Sequence, residues 1–118
     1  MVGNYKMENI LSADELNKQG LDADKAGDKA KAFELYRKAA AMGHASAQYN
    51  LGLCYGNGEG VKQDYKKAAK WYRKAAEQGD PSAQFNLSTC YENGEGVQEN
   101  MIKAAYWLNK WEEQRNNP

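Results

Sequence analysis

The sequence predicts an all-α protein: a solenoid of three helix-turn-helix repeats with about six helices. Three observations carry this. The run Arg37 to Tyr72 aligns without gaps on Arg73 to Leu108, with 21 identities in 36 positions. A fixed period of that size marks an architecture in which each repeat is one supersecondary unit. Apolar and small residues recur at helical spacing, and no stretch alternates apolar with polar residues as a half-buried strand does.

The elements follow in order. Ser12 and Glu15 form the pattern Ser-x-x-Glu, a capping box that opens a helix through about Ala26. Its inner face carries Leu16, Gly20 and Ala23. Gly27-Asp28 turns into a second helix with Ala32, Tyr36 and Ala39 inward, which stops at Gly43. The third helix shows Ala47, Leu51, Gly52, Cys54 and Tyr55 as one buried stripe. It ends at GNGEG, whose glycines reach positive φ at little cost. The fourth starts near Asp64, carries Ala68, Ala69, Trp71, Tyr72, Ala75 and Ala76, and stops at Gly79. The fifth opens at Asp80-Pro81, an N-cap carboxylate before a proline at the first helical position, and ends at ENGEG. The sixth starts near Asn100. Matching Gly20 to Gly52 gives a shift of 32 and matching Asp28 to Asp64 gives 36, so the second unit carries four added residues at Asn57 to Gly60, as does the third.

Composition bounds the function. A chain of 118 residues suits one small domain. Sixteen basic against sixteen acidic residues leave no net charge, which argues against a general nucleic-acid binder or a polybasic membrane anchor. A mean hydropathy of −0.93 and the absence of a long apolar run argue against a membrane-spanning helix. Thirteen aromatic residues suffice to build a core, and two cysteines are too few for a disulfide scaffold. The opening MVGNYKMENILSADEL has no cationic stretch followed by an apolar run, and Met7 offers an alternative start. A complete chain of this kind is expected in the cytoplasm, and one trimmed of a leader in the periplasm or outside the cell.

The stretch LGLCYGNGEGVKQDYKKAAKWYRKAAEQGDPSAQ resembles the Sel1-like repeat, the long-loop branch of the tetratricopeptide-type repeats. The glycine loop, the paired alanines, Trp-Tyr and Ala-Gln all fall at that family's spacing, with departures at Ser88 and Trp111, where the pattern has Gly and Ala. The units run 44–79 and 80–115, and residues 12–43 look more like an ordinary tetratricopeptide unit. Residues 1–11 are expected to be a flexible segment and 116–118 a tail. The resemblance implies a right-handed α-α superhelix and a protein–protein interaction or adaptor role, without naming a partner.

Subtracting the core positions leaves a second face on each first helix: Asn17, Lys18, Leu21 and Asp24, then Tyr49, Asn50 and Leu53, then Phe85, Asn86 and Thr89. First helices line the concave surface of a solenoid, the usual binding surface. A ring beside an amide suits a peptide, since the ring covers side chains while the amide bonds both donor and acceptor of a backbone. The other reading makes Tyr49 and Phe85 packing residues between units and the asparagines part of the scaffold. Trp111 stands where an internal unit has Ala75, and it either folds over the open end or docks a second chain.

Catalysis finds no support. His44 is the single histidine, placed at a repeat linker as a helix-capping or surface residue, and no base–nucleophile pair is visible. The GNGEGV and ENGEGV loops lack the preceding strand that a phosphate-binding loop needs. Cys54 and Cys90 sit at equivalent sites on stacked helices, too far apart for easy bridging, and read as small buried residues. Neither cofactor nor metal is expected. The expected function is that of a non-enzymatic interaction module, monomer or weak homodimer, that binds another protein or peptide on its concave face. The alternative is an immunity or inhibitor protein that neutralises a toxin or enzyme by stoichiometric binding.

Overall fold

The computed structural model describes residues 10–117. Residues 1–9 of the expected N-terminal segment, with Met7, and Pro118 of the expected tail lie outside the described residues. Six helices follow in sequence: α1 (Ala13–Lys25), α2 (Lys29–Ala41), α3 (Ala45–Asn57), α4 (Tyr65–Glu77), α5 (Pro81–Asn93) and α6 (Met101–Asn116). Among the described residues there is no strand. Each helix packs on the next one along the chain. The radius of gyration, 15.8 Å, exceeds the roughly 13.5 Å of a compact domain of this length, as expected for units added end to end.

Every helix starts on a side chain that accepts an otherwise unpaired backbone N–H. Ser12 Oγ accepts from the Glu15 N–H at 3.1 Å while Glu15 reaches back to the Ser12 N–H at 3.1 Å, closing the expected capping box. Asp28, Asp64, Asp80 and Asn100 cap the helices they precede. His44 does the same for α3: its Nδ1 accepts from the Ala47 N–H at 3.1 Å, and its Nε2 lies 3.1 Å from Asp14 of α1. This arrangement places the ring proton on Nε2.

Small residues let the two helices of a unit close on an aromatic ring. A β-carbon on Gly20 would stand 2.6 Å from the Tyr36 ring, and one on Gly52 2.6 Å from the Tyr72 ring. The third unit has Ser88 at this position, and Leu108 replaces the tyrosine opposite. With no ring pressing on it, a β-carbon fits there, and Ser88 Oγ donates to the Ala104 carbonyl at 2.8 Å. Tyr36, Leu51 and Leu87 are the largest fully buried side chains. Trp71, expected among the core residues, is half-buried, with the ammonium groups of Lys70 and Lys74 each 5.7 Å from its ring centre. Its outer face is covered by lysine stems rather than by another helix.

The long loops are contacts between units. Gly58 and Gly94 end α3 and α5 in the left-handed conformation, and the Asp64 and Asn100 N–H groups return to the Tyr55 and Tyr91 carbonyls, each at 2.9 Å. Two residues further on, Gly60 (φ +74°) lies against the Lys29 carbonyl at the start of α2, and Gly96 (φ +73°) against the Tyr65 carbonyl at the start of α4. Any β-carbon would overlap those carbonyls. Buried glutamines hold the other end of each unit. Gln48 donates to the Ala40 carbonyl at 3.2 Å and accepts from Gln78 at 2.8 Å, and Gln78 also donates to the Gly43 carbonyl at 2.9 Å. Gln84, Gln114, Ala76 and Gly79 repeat the pattern one unit on.

Gly60→Ala meets both a positive φ and a backbone overlap, so it should cost about 2–3 kcal/mol. Gly27→Ala, with φ +85° but nothing within 4 Å of the added carbon, should cost about 1 kcal/mol. Urea unfolding of the two variants measures the difference. Cys54 and Cys90 are free and buried, and burial pushes each thiol up from the ordinary 9.0 to about 11. Unfolded thiols therefore ionise first, so stability present below pH 9 is lost as the pH rises toward 11. The loss should be on the order of 1–2 kcal/mol per thiol, and Cys54→Ala/Cys90→Ala should flatten the fall between urea curves taken at the two ends of that range.

Candidate partner-binding surface

The first helices α1, α3 and α5 carry the candidate residues in two crevices, one between the first and second units and one between the second and third. In the first, Asn17 departs from its expected exposed position. It is 7% exposed, and its side-chain oxygen accepts from Asn50 Nδ2 at 3.1 Å. The pair ties α1 to α3, because a buried amide needs a partner. Tyr49, also on α3, turns toward the second crevice: it is half-buried with its ring 6.0 Å from that of Tyr72, and burial raises its hydroxyl pKa. Leu53 is half-buried against the core formed by α4, α5 and α6, and Leu21 is exposed.

The second crevice brings three of the expected residues together. Phe85, Asn86 and Thr89 line a depression of about 380 Å³ with Gly56, Tyr65, Tyr72 and Glu95. Phe85 is 43% exposed there. Asn86 lies against the hydroxyls of Tyr49 and Tyr72, and burial pushes Tyr72 up to about 12, so its hydroxyl stays neutral at physiological pH. Thr89 Oγ1 donates back to the Phe85 carbonyl at 3.3 Å. Sequence reasoning named Tyr72 only as core and Glu95 only as part of the loop. It named Gly56 only within the GNGEG turn and passed over Tyr65, although both differ in character from their counterparts one unit earlier, Asp24 and Lys29.

Those counterparts close the first crevice. The Lys29 ammonium pairs with the Asp24 carboxylate and lies 3.7 Å from Glu59, and the Tyr36 hydroxyl donates to Asp24 at 3.4 Å. At the C-terminal end, Trp111 is half-buried with its ring 5.0 Å from that of Phe85, and the Arg115 guanidinium sits 4.8 Å over it. Among the described residues no three His, Cys, Asp or Glu side chains gather as a metal site, and no helix is long and apolar enough to cross a membrane.

Repeated helix pairs stacked through glycine loops define a helical-repeat superhelix of the tetratricopeptide type. The Sel1 repeat matches residues 10–44, 45–80 and 81–116, and the chain belongs to the Sel1 repeat family. The match takes in the short-looped first unit as well. A Sel1 repeat protein from Oxalobacter formigenes is 35% identical with a TM-score of 0.82, over 86% of this chain and 43% of that one. A protective antigen present in uropathogenic Escherichia coli strains, displaying an SLR fold, is 38% identical with a TM-score of 0.83, over 86% of this chain and 23% of that one. The rat protein named DAP3-binding cell death enhancer 1 is 44% identical over 45 residues, 38% of this chain and 9% of its own length. The chain thus spans less than half of each of these relatives. Sel1 repeats are in general protein-interaction modules, and their fold is an interaction scaffold rather than a catalytic one.

The Asn17–Asn50 bond has a measurable consequence. Asn50→Ala strands the buried Asn17 amide and should cost about 1–3 kcal/mol. A double-mutant cycle with Asn17→Ala, read by urea unfolding, should return a coupling of at least about 0.5 kcal/mol.

Proposed function

We propose that this chain is an adaptor or scaffold that binds a peptide or protein domain on the face formed by its first helices, centred on the crevice between the second and third units. The single observation that carries this is that crevice: a depression of about 380 Å³ whose α5 wall is Phe85, Asn86 and Thr89. An exposed ring beside an amide and a hydroxyl offers both an apolar seat and hydrogen bonds to a bound backbone. The first crevice contributes through Leu21 and Leu53 at its rim, Tyr49 backs Tyr72 and Asn86 of the second, and Asn17 and Asn50 hold α1 and α3 in register. Trp111 backs the Phe85 ring, which makes it a support for the site rather than a separate docking end.

Affinity capture from the source cell tests the reading. Thr89→Arg fills the depression from a half-buried position, and Phe85→Ser removes the exposed ring. A partner captured by the wild-type chain should be lost with either variant, while the helical circular-dichroism signal stays unchanged. Equal capture by all three proteins would move the site to another face.

A further inference from the structure

We infer that the crevice between the second and third units takes a lysine or arginine side chain of a partner polypeptide, with Glu95 as the counter-ion. This rests on reading that crevice as the partner site, and it names the chemistry of what enters.

The two crevices are built on the same plan, and the first shows what the plan accommodates. There Lys29, at the start of α2, reaches Asp24 of its own unit and Glu59 in the loop of the next. One cation lies between two carboxylates under the Tyr36 hydroxyl. In the second crevice the equivalent positions hold Tyr65, Gly56 and Glu95. The cation and one carboxylate are gone, and the other carboxylate remains. Replacing Asp24 by Gly56 empties the floor, and replacing Leu53 by Thr89 shortens the wall.

Glu95 is half-buried, and among the described residues its carboxylate makes neither an ion pair nor a side-chain hydrogen bond. Lys67, a cation on the first turn of α4, is engaged elsewhere, with its ammonium 5.5 Å from the Tyr55 ring centre. The other lining side chains are neutral. Tyr65 and Phe85 present rings that are 47% and 43% exposed. Aromatic faces attract cations and cover the methylene stem of a long basic side chain. An acidic side chain would meet Glu95 as a like charge, and an apolar one would strip water from the carboxylate without replacing it. A single basic side chain supplies what Lys29 supplies one unit earlier.

The test selects binders to the whole chain from a phage-displayed library of random linear dodecapeptides. Affinities are then read by fluorescence anisotropy. Selected peptides should share a lysine or arginine at one fixed position. Glu95→Gln should weaken them about tenfold, as should norleucine at the basic position, and the two changes together should do no more than either alone. Gly56→Asp/Tyr65→Lys, which installs the first crevice's ion set, should abolish binding. Peptides that bind with no basic preference, or are indifferent to Glu95→Gln, yet are lost with Thr89→Arg would overturn the counter-ion assignment and leave the crevice standing. Peptides indifferent to Thr89→Arg as well, or a selection that yields none, would overturn both.

Discussion

Stacking in this protein turns on a contact that has no side chain on one side. The last glycine of each long loop lies directly on a backbone carbonyl at the start of the preceding unit's second helix, Gly60 on Lys29 and Gly96 on Tyr65. A positive φ and a bare α-carbon are needed at once, and only glycine meets both. The contact sets how far apart successive units stand and places Glu59 and Glu95, each one residue earlier, at the mouths of the two crevices. The loops thus space the units and also edge the crevices between them.

Within a unit the governing pair is a small residue under a ring. Gly20 with Tyr36 and Gly52 with Tyr72 bring the helices together, and the glutamines near the opposite end donate to carbonyls in and just after the last turns of α2 and α4. The polar network is complete: no buried side-chain nitrogen or oxygen among the described residues lacks a partner. On this shared frame a few exchanges in side chain fill one crevice and leave its neighbour open.

Much of the fold was legible in the residues. The 36-residue period placed the helices, and Ser12, Asp28, Asp64, Asp80 and Asn100 mark their starts because a short polar side chain before an apolar stripe has few other uses. The glycine loops were legible as turns, but not as inter-unit contacts, since nothing local says which carbonyl a glycine will meet. Asn17 and Phe85 show the same limit at the site. Both fall on the face left over after the core is subtracted, yet one is buried against Asn50 and the other stands half open beside Trp111. A helical wheel separates the inside of a unit from its outside. It does not say how much of the outside the next unit covers.

The ring-and-glycine pairing bears on how such a chain can be lengthened, shortened or shuffled. A whole unit carries its own matched pair with it. A crossover within a unit that involves the third does not. Joining α5 to a second helix of the α4 kind would press a tyrosine onto Ser88, and joining α3 to one of the α6 kind would leave a leucine over Gly52 with a void between them. A junction at the short linkers around Gly43 and Gly79 keeps each pair together, whereas a junction in the long loop between second- and third-unit helices separates it.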